Sequence, residues 1–370
     1  GGQVATADRP GETAGAAAPA MVTADYTVLG SAEGADRVEA RFRLTTAADG
    51  SFRWTGQNGA SDTRDGIQDV AYDAAAHRAV QIADRKPDGG LDAYVTTDIP
   101  SGGPDQGFAV VEPLGPVADF VVSLARAGDP RVTEADHPAT GRPVWRYEGP
   151  LVEDRLGDGP DRVVAEADRA TGVLLTLRSS ARGTAFRDLS ATSVETAGEI
   201  DRSRFQIEIA PSAETSRFSM GFQPASLEKA RVLMPFDVLV PDDGAIPEGF
   251  DLDAVAVNRD RPSVTGAEGM NPPVADIVVL HWRKGFGSFT LTLRPTSGQP
   301  WDDPFGSEGM VYRTIPVKAE LPGRPTLGGD LIVDPPARPH LWGITGDIVV
   351  TVDGDLTPEE FLRLAESLRG

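Results

Sequence analysis

Apolar and polar residues alternate one for one in the segment VEARFRL, and a period of two confines the chain more tightly than any motif it carries. Val38, Ala40, Phe42 and Leu44 fall on one side of an extended backbone, and Glu39, Arg41 and Arg43 fall on the other. One dry face and one wet face is an antiparallel pattern, because parallel sheets are covered on both sides and read as continuous apolar runs. After the Asp49–Gly50 turn signal, SFRWTG resumes the alternation with Phe52 and Trp54 together and Arg53 opposite. DVAYDAAAHRAVQIAD and VVAEADRATGVLLTLRSS then repeat strand, Asp-led turn and strand, the second with Thr171 and Gly172 at its turn. GTAFRDLSATSVE and RFQIEIA, with Phe205, Ile207 and Ile209 on one face, complete one meandering sheet.

A single helix interrupts this sheet. In GPVADFVVSLARAGDP, Pro116 suits the first turn and Gly128 the C-terminal cap. Val117, Phe120, Val121, Leu124 and Ala125 form a stripe at i, i+3, i+4, i+7 and i+8. That stripe is expected against the apolar side of the sheet.

Residues 211–223 break the pattern and are expected to link two domains. A short helix in PASLEKAR opens the second. Its centre is a hairpin, with Val278, Leu280 and Trp282 answered across Lys284–Gly287 by Phe289, Leu291 and Leu293. The strand GDIVVTVDG leads into a terminal helix with Thr357 as N-cap, Pro358 at N1 and Glu360 placed to complete a capping box. Phe361, Leu364, Ala365 and Leu368 give that helix an apolar face, expected to brace the second domain.

The chain of 370 residues is long for one core. Its net charge of −21, with no Lys/Arg-dense stripe, argues against nucleic acid. Without cysteine there is no disulfide, thiolate nucleophile or Cys-ligated metal. Asp353, Asp355 and Thr357 imitate the start of a calcium loop, but Pro358 and Leu364 stand where its glycine and glutamate belong. His77, His137, His281 and His340 form no i, i+4 pair, so no metal site is expected. No nucleophile elbow, phosphate loop or cofactor motif is present, so neither catalytic residue nor cofactor is assigned and the chain is read as a non-enzyme. The small, polar residues 1–20 read as a flexible tether or an ordinary ragged terminus, and export would require a signal upstream of residue 1.

The phrases ARVLMPFDVLVP, IPEGFDL, VVLHWRKG and GDLTPEEFLRLAESL resemble the C-terminal part of actinobacterial envelope proteins related to the MucB/RseB sigma-factor regulatory family. The part before them resembles the LolA/LppX lipoprotein-carrier superfamily. The resemblance implies an α+β, mainly antiparallel β architecture: a LolA-like half-open β-barrel with a plugging helix over residues 21–210. A smaller α+β domain ending in the C-terminal helix follows over residues 224–370. It also implies an extracytoplasmic, membrane-anchored lipoprotein or signal-anchored protein. Members bind acyl chains in the concave side of the half-barrel, and the regulatory branch restrains an anti-sigma signalling pathway.

Two functional readings follow. In one, a lipid or acylated molecule lies in a trough lined by Phe42, Phe52, Trp54, Val117, Phe120, Val121 and Leu124; in the other, these residues simply fill a core. The alternative function is a regulatory module that docks a membrane-anchored anti-sigma-type protein on an exposed apolar patch near Phe236, Phe250 or Trp282. A structural role without ligand is the third possibility.

Overall fold

The computed structural model describes residues 18–30, 38–56, 67–85, 90–101, 114–150, 161–259, 276–296, 314–333 and 339–370. Residues 1–17 of the expected tether, and the side chains of Val38, Glu39 and Ala40, lie outside the described residues.

Strands β1 (Met21–Gly30), β2 (Val38–Ala47), β3 (Phe52–Gly56), β4 (Ile67–Asp73), β5 (Arg78–Arg85) and β6 (Gly90–Thr97) precede helix α1 (Gly115–Arg126). After it come β7 (Val132–Asp136), β8 (Pro143–Pro150), β9 (Arg162–Asp168), β10 (Leu174–Ala181), β11 (Thr184–Ala197) and β12 (Glu214–Ser219). All twelve form one sheet of order β12-β6-β5-β4-β3-β2-β1-β11-β10-β9-β8-β7. Two meanders are thus joined at β1 and β11, with α1 on the connection between them. Edges β12 and β7 are not neighbours, so the sheet stays open as a half-barrel requires.

The segment expected as a linker carries β12, which pairs parallel with β6 from Glu214 opposite Asp92 to Ser219 opposite Thr97. The amides of Met220 and Phe222 continue the attachment, donating to the carbonyls of Thr97 and Asp98 at 3.0 and 3.3 Å. An edge strand held by backbone bonds needs no apolar alternation, and its sequence shows none.

The second part contains β13 (Gln223–Pro224), α2 (Leu227–Leu233), β14 (Val240–Pro241), β15 (Asp251–Asn258), β16 (Ile277–Lys284) and β17 (Gly287–Pro295). It continues through β18 (Thr314–Ala319), β19 (Leu327–Ile332), β20 (His340–Thr345), β21 (Ile348–Gly354), α3 (Pro358–Ser367) and β22 (Leu368–Arg369). Eight of these strands make an antiparallel sheet of order β13-β15-β16-β17-β21-β20-β19-β18, and β14 pairs with β22. Helix α3 has the full capping box between Thr357 and Glu360. Its Phe361, Leu364 and Ala365, with Leu368 at the start of β22, enter one core with Trp282, Phe289, Leu291 and Leu293.

A separate core joins α1 to the first sheet. A third cluster spans both parts, packing Phe52, Tyr72 and Ile99 against Met220, Phe222, Ala256, Ile277 and Val279. The two sheets are therefore joined by apolar contact.

Candidate ligand-binding cleft

The stripe on α1 packs as its spacing predicts, against the apolar side of the first sheet. Phe42, Val117, Phe120, Val121 and Leu124 are buried in one cluster, with Trp54 against it. Tyr26 stacks on Phe42 at 4.8 Å and Phe120 meets Tyr147 edge-on at 5.0 Å. The Tyr26 hydroxyl donates to the Leu174 carbonyl at 2.6 Å. These ring contacts take most of the surface of the side chains they join out of water.

Phe52 separates from this group. It lies on the same side of β3 as Trp54, yet it packs toward the second sheet and lines a cavity of about 500 Å³ between the two parts. Leu44, Tyr72 and Ile99 continue its first wall. Leu114, just before α1, and Pro116, Ala118 and Val122 on it, beside the stripe, supply the second wall. The third wall comes from Phe250 and from Phe286 and Gly287 at the β16–β17 turn. Burial pushes the Tyr72 phenol well above its ordinary pKa, so it is neutral there and donates to the Pro100 carbonyl at 3.4 Å.

Charged groups close the rim. The Arg126 guanidinium, at the end of α1, donates to the Asp355 carbonyl at 2.6 Å and its carboxylate at 3.1 Å. Its other nitrogen reaches both Glu360 oxygens at 2.7 Å. Burial works against this cation, but Asp355 and Glu360 more than offset it and hold its pKa above the ordinary arginine value. Ser123 Oγ donates to the Leu356 carbonyl at 2.5 Å. Across the rim, Arg283 donates to the Ala48 carbonyl at 2.7 Å and Lys284 to the Glu248 carbonyl at 3.0 Å. A Cβ on Gly287 would stand 2.9 Å from an Asp355 carboxylate oxygen, so glycine is what lets the hairpin approach this closely.

Of the expected trough residues, the structure brings only Phe52 to the cavity. Of the expected partner-docking residues, Phe250 lines it while Phe236 and Trp282 lie in the second core. All three are buried, so they offer no exposed patch: Trp282 stacks on Phe289 at 4.8 Å, and Phe250 tilts against the same ring at 5.3 Å. Ala118, Val122, Arg126 and Phe286 were not anticipated. An aromatic residue inside the Lys284–Gly287 turn, where polar residues are usual, was the available signal for Phe286. Among the described residues no cluster of His, Asp and Glu could hold a metal ion, and no helix is long and apolar enough to cross a membrane.

No family model matches the sequence, and no curated protein matches it. Among solved structures, the chain is similar to MucB in the Pseudomonas aeruginosa MucA/MucB complex. Identity there is 15%, with 94% of this chain and 93% of that chain covered and a TM-score of 0.30. It is also similar to an uncharacterized conserved protein from Thermus thermophilus, at 13% identity, 54% and 91% coverage and a TM-score of 0.30. A putative outer membrane lipoprotein-sorting protein domain from Vibrio parahaemolyticus matches at 12% identity, 50% and 89% coverage and a TM-score of 0.19.

Proposed function

We propose that the chain is an extracytoplasmic, non-enzymatic binding module, tethered through its N-terminal segment, that takes an acyl chain or acylated molecule into the cleft between its two sheets. The observation that carries this reading is the composition of the cleft: walls of Leu44, Phe52, Val122 and Phe250, and a rim carrying Arg126, Arg283 and Lys284. Apolar walls with a charged mouth suit an amphiphile, and a volume of this size lies in the range of about 300–1,000 Å³ that small-ligand sites occupy. Each methylene taken from water contributes about 0.8 kcal/mol. The envelope location rests on the resemblance of the sequence phrases to envelope proteins.

The test is a fluorescent fatty acid titrated into the wild-type protein and into Val122→Trp, which fills the cleft from α1. Saturable binding that the variant loses, with its far-ultraviolet spectrum unchanged, is the expected result. A wild-type protein that takes up no fatty acid, or a variant that binds as well as wild type, would sink the reading.

A further inference from the structure

Arg294 lies on β17, in the middle of the second sheet, and is 5% exposed. Its Nε and Nη2 are buried and have no hydrogen-bond partner. These two nitrogens share one edge of the guanidinium, with parallel N–H bonds that match the spacing of carboxylate oxygens. The chain uses that edge repeatedly. Arg43 holds both oxygens of Asp25 with it at 2.7 and 3.1 Å, and Arg53 holds Asp69 at 3.0 and 2.6 Å. Arg131 grips Asp129 at 2.9 and 2.8 Å, and Arg142 grips Asp168 at 2.5 and 3.2 Å. Arg294 is more deeply buried than any of those four arginines, and among the described residues no carboxylate meets its edge.

Its surroundings add matching donors. Thr292 precedes it by two residues on the same strand face and pairs directly with Thr351 of β21. The hydroxyl oxygens of both threonines are also buried without a partner. Leu291 and Leu293, on the alternate face, belong to the core under α3, so the arginine and its threonines face the other way. Among the acidic residues that share this face, Asp330 lies two strands beyond Thr351, opposite Trp342, and Asp353 pairs with Thr290. Four residues of strand separate that position from Arg294, which puts it about 13 Å away and beyond joint reach.

We propose that Arg294, Thr292 and Thr351 form a binding site for a carboxylate, seated bidentately on the Nε–Nη2 edge with the threonine hydroxyls donating to the same oxygens. A buried guanidinium without a counter-charge is costly, and an anion delivered from outside the described chain removes that cost. The site lies further along the sheet face that also carries His281, Arg283 and Ser288 of the cleft wall and Val279 of the cluster joining the two parts, but it uses none of the cleft's lining residues and its test does not require that the cleft bind lipid.

The test is thermal unfolding of the full chain in rising sodium acetate, with sodium phosphate and sodium chloride at matched ionic strength. Acetate is expected to raise the wild-type Tm saturably, beyond either other salt. Arg294→Met should lose this response and, without acetate, be at least as stable as wild type. Arg294→Lys keeps a charge but lacks the planar edge, and should weaken acetate binding at least tenfold, which covers the case in which the methionine variant fails to fold. N-acetyl-aspartate amide binding more than tenfold tighter than acetate would identify an acidic protein side chain as the source, and equal affinities a free small carboxylate. A wild-type Tm indifferent to acetate, an equal response to phosphate, or a lysine variant that binds acetate as well as wild type would each overturn the proposal.

Discussion

Helices α1 and α3 carry the same apolar signature and finish in different surroundings. Each has proline in its first turn, and each sets apolar side chains at i, i+3, i+4 and i+7 against a sheet. On the far side of α3, Glu359, Arg363 and Glu366 are exposed to water. On α1 no residue from Gly115 to Arg126 is exposed. A stripe therefore states which side of a helix packs, and the opposite side is settled by whether a second body arrives there. For α3 none does along most of its length, and for α1 the second sheet and its hairpin do. That second, less regular face of Ala118, Val122 and Arg126 is the one that borders the cleft.

The largest effect expected from breaking this comparison comes from removing residues 357–370. This takes Phe361, Leu364, Ala365 and Leu368 from the second core, along with the β22 pairing to β14. Burying one such large side chain contributes about 1.5–3 kcal/mol, and domains as a whole retain only about 5–15 kcal/mol. The truncated chain should lose cooperative melting of the second sheet while the first sheet keeps its own transition by calorimetry. A melting curve identical to that of the full chain would show that α3 braces nothing.

Next in size is Phe120→Ala. Phe120 is 1% exposed and meets Tyr147 edge-on, so its loss leaves a void that neighbours of this rigidity fill poorly. Urea unfolding should show a loss of about 3–5 kcal/mol, the usual cost of a buried Phe→Ala change. Val122→Ala, on the cleft face of the same helix, should cost clearly less, because that side chain borders open space. Equal losses for the two would mean that α1 packs equally on both sides and that the cleft is not a cleft.

Much of this architecture was legible locally. Alternation located β2, β3, β16 and β17, and the turn glycines fell where the backbone needs them: Gly50 and Gly128 have φ of +84° and +70°. The capping box of α3 could be read letter by letter, because all of its bonds span three residues. What escaped depends on parts of the chain that approach from far away. Phe52 and Trp54 share a strand face and look alike in sequence, but the second sheet reaches only the first of them. β12 is held through main-chain bonds to β6, which no side-chain pattern announces. The unexpected role of Arg126 depends on a partner 234 residues further along.

That arginine gives the last and smallest prediction, and it probes the place where the two helices meet. Arg126 ends α1, Glu360 caps the start of α3, and Glu360 Oε2 accepts at once from the Thr357 amide at 2.9 Å and from Arg126 at 2.7 Å. Both side chains are partly screened, at 19% and 15% exposure, so the pair lies between a surface contact and a buried one. A double-mutant cycle of Arg126→Met and Glu360→Gln, read by urea unfolding, should give a coupling energy within the range of about 0.5–3 kcal/mol found for contacting charges. Arg126→Met alone should cost more than Glu360→Gln alone, because it leaves two carboxylates, Asp355 and Glu360, facing each other without their shared cation. Additive effects would mean that the helices meet without holding each other, leaving Ser123, the Arg283 bond to the Ala48 carbonyl and the apolar contact around Phe52 to join the two sheets.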